Sequence, residues 1–166
     1  MAALALRYRF ETFITGPANA DAFAAAVAAA AAAGTPAVPG TPLVIVGGVG
    51  LGKTHLAHAI VEAARARRPR PRVAYYTAAR LANEVVQALR RDREPAFARR
   101  LDVLELLVID DLHGLHGRER TCLEIRRLLG RLGPGCQVVL LADRAPGELP
   151  DVPFLDVLPP GATVVT

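Results

Sequence analysis

The sequence lacks tryptophan, holds 1 methionine, and is poor in aromatic residues, which make up 5% of its 166 positions. Its hydrophobic fraction is 52%, but much of that is alanine, notably in the run DAFAAAVAAAAAAG. No apolar run is long enough to cross a membrane, and the N-terminus has no long apolar segment of the secretory kind. These absences and the chain length predict one domain with a lean but real core.

Cysteine is also scarce. Cys122 and Cys136 match neither a metal-ligand spacing nor a disulfide framework, which favours a reducing compartment and predicts a soluble, cytoplasmic protein. The formal net charge is +4 and is carried mostly by arginine. Such an excess is compatible with binding to nucleic acid, but GC-rich coding also produces chains rich in arginine and alanine. Charge alone therefore does not separate the two explanations.

Strand-like and helix-like segments alternate from residue 43 onward. The runs LVIVG, VAYYT, VLELLVIDD and QVVLLADR predict buried parallel strands, and ATVVT predicts a fifth. Helical periods lie between them, and in AARLANEVVQALRR they place Leu81, Val85, Val86 and Leu89 on one face. The alternation predicts an α/β fold, a doubly wound, parallel, five-stranded sheet with helices on both faces. The C-terminal ends of its strands then share one edge.

The segment GGVGLGKTH lies between the first predicted strand and a helix. The spacing of Gly47, Gly52, Lys53 and Thr54 is that of a phosphate-binding loop. Glycines let backbone N–H groups surround phosphate oxygens, and the helix directs its positive end at the same anion. Lys53 can reach the terminal phosphates, and the Thr54 hydroxyl can ligate Mg²⁺. The predicted nucleotide-binding residues are Gly47, Gly48, Val49, Gly50, Leu51, Gly52, Lys53, Thr54 and His55.

Acidic residues lie at the C-terminal ends of the predicted strands VLELLVIDD and QVVLLADR. Asp110 is predicted to hold Mg²⁺, directly or through water, and Asp111 to orient or deprotonate the attacking water. A solvated acidic turn is the structural alternative. At Asp143 and Arg144, contact with a γ-phosphate or its attacking water and ordinary turn chemistry both fit the pattern. The four histidines form no coherent set of metal ligands.

Several segments together resemble one family. YRFETFITGPANADA, VGGVGLGKTHLAHAI, FARRLDVLELLVIDDLHGLHGRERT and LADRAPGELP are similar, in order, to segments of the DnaA-type bacterial replication initiators. These are AAA+ ATPases, and regulatory relatives of the Hda type share their core. The resemblance covers roughly residues 8–150 and implies a single AAA+ P-loop NTPase domain over residues 1–166 that binds ATP or ADP with Mg²⁺. Residues 8–20 would form its adenine-side segment. The composition of GTPAVPGTP, independently of the resemblance, predicts a Pro/Gly-rich surface loop or linker over residues 35–42.

The resemblance also implies roles for individual residues. It assigns Asp110 to Mg²⁺, Asp111 to water activation and Asp143 to an acidic sensor position. The adenine-side residues would be Phe13, Ile14, Gly16 and Asn19. The contacts to single-stranded DNA would be Val86, Arg118 and Arg120, although a core valine and a solvated helix start are the structural alternative.

The sequence departs from the family pattern after Arg144, where it has no arginine or lysine. The family carries in that region an arginine that reaches a neighbour's γ-phosphate, followed by a helical lid and a helix-turn-helix domain. We therefore expect no helical lid, and an arginine supplied by an AAA+ partner or a homo-oligomer. The pattern is also what a truncated or degenerate paralogue would have.

The predicted function is that of a DnaA-like module that binds ATP or ADP in replication initiation or its regulation, with hydrolysis weak or dependent on a partner. One alternative is an active DNA-dependent ATPase of the initiator or helicase-loader kind. The other is a non-catalytic module that binds single-stranded DNA or acts as a scaffold.

Overall fold

The computed structural model describes residues 8–35, 41–67, 69–144 and 162–166. Its strands are β1 (Leu43–Val46), β2 (Val73–Thr77), β3 (Leu106–Asp110), β4 (Gln137–Ala142) and β5 (Thr163–Val165). Its helices are α1 (Ala20–Ala32), α2 (Lys53–Arg67), α3 (Ala78–Arg90), α4 (Glu94–Asp102) and α5 (Glu119–Leu129). Short 3-10 turns occupy Phe10–Thr12 and Leu112–Leu115. All the strands and helices that the apolar pattern predicts are among these elements.

The strands form one sheet in the order β2-β3-β4-β1-β5. Every neighbouring pair is parallel, which confirms the predicted parallel five-stranded sheet. Strand β4 lies between β3 and β1, so the loops after these three strands leave the sheet side by side. The expectation that no lid is present concerns the chain after β4, and since residues 145–161 lie outside the described residues, it stays a prediction.

Helices cover the sheet on both faces because side chains alternate along each strand. In β1, Val44 and Val46 pack into the core under α3, α4 and α5, whereas Leu43 and Ile45 pack into the core under α1 and α2. Burying one large aliphatic side chain stabilises the fold by about 1.5–3 kcal/mol. Strand β1 is therefore anchored from both sides, and the doubly wound architecture is confirmed.

Helix α3 buries only part of the expected face. Leu81 and Val85 are buried, but Leu89 keeps 41% of its surface exposed and Val86 is half-buried. The rest of the buried face consists of alanines, namely Ala78, Ala82 and Ala88. Small side chains let a helix approach its neighbours closely, so the buried stripe turns toward the alanines and the predicted placement of Leu89 is wrong.

Strand β2 passes into α3 without a loop. Thr77 is the last residue of the strand, and its Oγ1 accepts a hydrogen bond from the backbone N–H of Arg80 at 3.3 Å. This contact caps α3, and a cap of this kind contributes about 1 kcal/mol. The direction of the strand therefore sets the direction of the helix.

The two cysteines are core residues. Cys122 and Cys136 are both buried in the layer beneath α3, α4 and α5. Burial raises the pKa of the Cys136 thiol to about 12, so it stays protonated at neutral pH. Among the helices in the described part of the chain, none is both long and apolar enough to cross a membrane.

Candidate nucleotide-binding site

The glycine loop leaves β1 at the C-terminal edge of the sheet and enters α2 at Lys53. Gly50 and Gly52 have φ angles of +84° and +87°, in the left-handed region where glycine has no Cβ to clash. Gly48, Val49, Gly50 and Leu51 are exposed, and Gly47 and Gly52 are half-buried. The first N–H groups of α2 have no carbonyl partner within the helix, so this end can accept an anion.

Lys53 is the one lysine of the sequence, because every other member of its 20 lysines and arginines is an arginine. Its Nζ donates to the carbonyl oxygen of Gly47 at 2.7 Å and to that of Gly48 at 3.0 Å. The loop therefore wraps around the ammonium group. An ammonium is a compact charge with three donors, whereas a guanidinium is a wide planar fork. Because Gly47 and Gly48 are adjacent, the compact ammonium group reaches both of their carbonyl oxygens at once.

The carboxylate of Asp110 is the centre of the site. This residue is only 2% exposed, and its Oδ2 accepts hydrogen bonds from Thr54 Oγ1 at 3.1 Å and Tyr75 Oη at 2.6 Å. Its Oδ1 accepts from the backbone N–H of Asp111 at 2.8 Å. A buried charge needs such donors, because without them desolvation would be very costly. The two residues predicted to hold Mg²⁺, Thr54 and Asp110, are thus in direct contact.

Asp111 has a different environment from its neighbour. It is exposed, and its backbone is left-handed, with φ 56° and ψ 54°. Aspartate and asparagine tolerate this conformation better than most other residues. Adjacent carboxylates, one buried and one in solvent, suit the different roles predicted for them.

Asp143 follows β4, the strand that lies between those carrying the glycine loop and the two aspartates. Its side-chain Oδ1 is buried, and nothing among the described residues donates a hydrogen bond to it. A buried acceptor left without a donor costs about 1–3 kcal/mol, and such groups occur where a water, an ion or a ligand binds. The predicted sensor residue therefore has an unused acceptor at the same edge of the sheet.

The predicted adenine-side segment contacts the glycine loop through Phe13. A Cβ on Gly52 would lie 2.8 Å from Phe13 Cε2, and the Phe13 ring also stacks on Phe23 with centroids 5.7 Å apart. Ile14 is 88% exposed. The Gly16 N–H donates to Asn19 Oδ1 at 2.8 Å, and Asn19 Nδ2 donates to the Ile14 carbonyl oxygen at 3.2 Å. Hydrogen bonds thus shape the turn that presents Ile14.

His55 and His58 of α2 also contact this segment. His55 Nε2 lies 2.9 Å from the carbonyl oxygen of Arg9, which can only accept a hydrogen bond. The His58 ring stacks on Tyr8 and on Tyr75, with centroids 5.5 Å and 4.7 Å apart. Burial lowers the pKa of His58, although the charge of Asp110 opposes this shift. These histidines attach the N-terminal segment to α2.

Tyr75 is a site residue that the sequence interpretation missed. In the β2–β3 register Thr77 pairs with Asp110 and Tyr75 with Val108, so Tyr75 and Asp110 share one face of the sheet. Burial, the hydrogen bond to Asp110 and the charge of that carboxylate raise the pKa of the Tyr75 hydroxyl, which therefore stays a donor. The alternation in VAYYT indicates that its tyrosines face opposite sides, but not that β2 lies beside β3.

The three residues predicted to contact DNA come from α3 and from the start of α5. Arg118 Nη1 donates to Asn83 Oδ1 at 3.2 Å, and Asn83 lies about one helical turn before Val86 on α3. Arg118 and Arg120 are exposed. The structure therefore brings Arg118 close to the turn of α3 that carries Val86, and places Arg120 in the first turn of α5.

The donor atoms present fit Mg²⁺. Thr54 and Asp110 offer a hydroxyl and a carboxylate, which are hard oxygen ligands. No group of three or more His, Cys, Asp or Glu residues in the described ranges could hold a metal by itself. Mg²⁺ typically takes one or two protein ligands and completes its shell with water and substrate phosphates. The Thr54 hydroxyl and the Asp110 carboxylate are a ligand set of this kind.

A parallel sheet in this order, with a glycine loop and two aspartates at one edge, defines the class of P-loop nucleotide-binding domains of the AAA+ type. The family model of the bacterial DnaA ATPase domain matches residues 4–153. The chain belongs to this family, as the resemblance in its motifs implied.

Individual relatives agree with this assignment. The chromosomal replication initiator protein DnaA of Thermomicrobium roseum is 42% identical over 147 residues, which cover 88% of this chain and 31% of that protein. A structure of the replication initiator DnaA bound to AMPPCP and single-stranded DNA has a TM-score of 0.84 and 31% identity, covering 96% of this chain and 49% of the other. Domain III of the Thermotoga maritima replication initiation protein DnaA also has a TM-score of 0.84, with 30% identity, covering 95% of this chain and 66% of the other. This chain spans about a third of the length of the Thermomicrobium protein.

The contact between Phe13 and the loop predicts a difference between two glycines. Gly50→Ala and Gly52→Ala should each lose about 1–2 kcal/mol of unfolding free energy, because both φ angles are left-handed. Gly52→Ala should lose about 1–3 kcal/mol more, since its Cβ would clash with Phe13 while nothing lies within 4 Å of a Cβ at Gly50. Urea unfolding measures both values.

Phe13→Leu in the Gly52→Ala background should recover part of the extra loss. Equal losses in the two single variants would contradict the packing of the N-terminal segment on the loop.

Proposed function

We propose that this chain is a DnaA-like AAA+ module that binds ATP or ADP with Mg²⁺ and acts in the initiation of DNA replication or in its regulation. The observation that carries the proposal is the cluster at the sheet edge, where Lys53 lies inside the glycine loop and Thr54 contacts the buried Asp110. Membership of the DnaA family supports the adenine nucleotide and the replication role. A role at the bacterial chromosome makes a cytoplasmic location part of the proposal.

Each part of the site has a physical role in this proposal. Loop N–H groups and the positive end of α2 stabilise phosphate charge, and Lys53 exchanges its loop carbonyls for phosphate oxygens. Thr54 and Asp110 would hold Mg²⁺, which neutralises charge on the terminal phosphates. The exposed carboxylate of Asp111 would orient or deprotonate the attacking water, and Asp143 would sense the γ-phosphate. Phe13, Ile14, Gly16 and Asn19 would line the adenine side.

Nucleotide binding is tested by isothermal titration of the chain with ADP and ATP in the presence of Mg²⁺. Lys53→Ala should weaken binding by about 10- to 100-fold, because it removes charge-assisted hydrogen bonds to phosphate. Arg65→Ala is the matched control, since it removes one exposed cation from the other end of the same helix. Absence of binding by the wild-type chain, or equal affinities for all three proteins, would refute the proposal.

Hydrolysis is proposed to depend on an arginine from outside these 166 residues, because no arginine or lysine follows Arg144. An arginine that reaches the γ-phosphate accelerates hydrolysis by about 10³- to 10⁵-fold in other nucleotide hydrolases. The chain alone should therefore turn over slowly, and an AAA+ partner that carries such an arginine would raise the rate. An active DNA-dependent ATPase is the alternative in which that arginine is always supplied.

Asp111→Asn should lower the hydrolysis rate by about 10²- to 10⁴-fold, the usual contribution of a general base, and leave ADP affinity unchanged. Asparagine keeps the left-handed backbone, so the variant isolates the loss of the carboxylate. The rate is measured by phosphate release, alone and with single-stranded DNA and candidate partner ATPases. Equal rates for wild type and Asp111→Asn under all these conditions would exclude the assigned role.

A second proposed activity is binding of single-stranded DNA at Val86, Arg118 and Arg120. The hydrogen bond from Arg118 to Asn83 supports it, because it holds a cation beside the exposed surface of α3. The similar replication initiator DnaA, whose structure has a TM-score of 0.84 to this chain, is bound to single-stranded DNA as well as to AMPPCP. A module that binds DNA without hydrolysing ATP is the non-catalytic alternative, and the same residues would carry it.

Replacing Arg118 and Arg120 with alanine should reduce the magnitude of the negative slope of log affinity against log salt by about 1.4, since each phosphate contact contributes about 0.7 on single strands. The control is the pair Arg65→Ala and Arg67→Ala, which lies in the last turn of α2, at the opposite edge of the sheet. Fluorescence anisotropy with a labelled oligonucleotide measures both slopes. The same slope for the two double variants would rule out this surface.

A further inference from the structure

Two side chains of α2 lie near the Asp110 carboxylate. One contacts it directly, and the other contacts a tyrosine that in turn contacts the carboxylate. Thr54 and His58 are four positions apart, so they lie on one face of the helix. Thr54 Oγ1 donates to Asp110 Oδ2 at 3.1 Å. The His58 ring stacks on the Tyr75 ring at a centroid distance of 4.7 Å and an interplanar angle of 16°. Tyr75 Oη then donates to the same oxygen at 2.6 Å.

We infer that Tyr75 is a positioning residue of the Mg²⁺ site, whose hydroxyl fixes the Asp110 carboxylate in the orientation that the metal requires. This inference rests on the proposed function, because it assigns a task to a residue beside the proposed metal ligand. Tyr75 itself contacts the carboxylate and not the metal. Its effect therefore has to appear in how strongly Mg²⁺ assists nucleotide binding.

Tyr75 differs from the other two groups that donate hydrogen bonds to the Asp110 carboxylate. An ionised carboxylate can accept about four hydrogen bonds, and three are in place, from Thr54, Tyr75 and the backbone of Asp111. The Asp111 N–H is a contact between adjacent residues and binds Oδ1, not Oδ2. Thr54 is itself a proposed metal ligand. Tyr75 is thus the long-range donor that holds Oδ2 independently of the metal.

Tyr75 is held rigidly enough for this task. Its strand pairs with β3 through Val108 and, two residues on, through Thr77 and Asp110. Its ring also packs against His58, which in turn stacks on Tyr8. A hydroxyl held by a strand register and a ring stack has few other positions. The position of the hydroxyl therefore determines the orientation of the carboxylate.

The adjacent tyrosine provides a matched control. Tyr76 points to the opposite core, where its hydroxyl donates to Glu84 Oε2 at 3.3 Å. Tyr75→Phe and Tyr76→Phe each remove one hydroxyl from neighbouring positions of β2, and each removes one hydrogen bond to a carboxylate. Only the first of these carboxylates belongs to the proposed metal site. Tyr76→Phe also loses the hydrogen bond that its hydroxyl accepts from Arg100 at 3.3 Å. A purely structural role of Tyr75 would leave the Mg²⁺ gain the same in the two variants.

The experiment measures ADP affinity by titration calorimetry, once in EDTA and once at saturating Mg²⁺, for wild type and both variants. Tyr75→Phe should reduce the gain in affinity that Mg²⁺ provides by about 10- to 100-fold, the usual cost of losing a partner of a metal ligand. Its affinity in EDTA should equal that of wild type. Tyr76→Phe should keep the full Mg²⁺ gain, and thermal unfolding without nucleotide reports stability separately.

Asp110→Ala supplies a double-mutant cycle. If Tyr75 acts through Asp110, adding Tyr75→Phe to Asp110→Ala should leave the remaining Mg²⁺ gain unchanged. A further decrease in the double variant would overturn the inference, as would an unchanged or larger Mg²⁺ gain in Tyr75→Phe. Failure of the wild-type chain to bind ADP in either condition would overturn the proposed function and this inference with it. If wild type, Tyr75→Phe and Tyr76→Phe all bind ADP with the same Mg²⁺ gain, this inference alone would be overturned.

Discussion

The site is organised around one buried negative charge, the carboxylate of Asp110. Only 2% of its surface is exposed, so protein groups supply most of the hydrogen bonds that water would otherwise make. Those groups come from separate parts of the chain, namely Thr54 at the start of α2, Tyr75 on β2 and the backbone of Asp111 after β3. Holding the charge therefore joins a helix and two strands at the same edge of the sheet.

The strand order brings the remaining groups to that edge. Because β4 lies between β3 and β1, Asp143 follows the middle strand, with the glycine loop on one side and the two aspartates on the other. A parallel sheet in another order would leave these residues on separate parts of its edge. The Phe13 ring then packs on Gly52, which ties the segment before α1 to the loop that β1 carries.

Local signals allowed much of this to be predicted from the sequence. Short apolar runs bounded by glycine and proline indicated the strands, and the placement of Gly47 to Thr54 between a strand and a helix indicated the loop. The role of Tyr75 was not predictable in this way, because it depends on β2 lying beside β3 in one register. The packing of α3 was predicted wrongly at Leu89, since the close approach of Ala78, Ala82 and Ala88 is decided by neighbours distant in sequence.

The junction at Thr77 has a structural consequence. No connecting loop separates β2 from α3, because Thr77 both ends the strand and caps the helix. The surface of α3 near Asn83 and Val86 therefore belongs to the same uninterrupted segment of chain as β2. One continuous segment of chain thus carries both Tyr75, which contacts Asp110, and Asn83, which contacts Arg118 of the proposed DNA-binding surface.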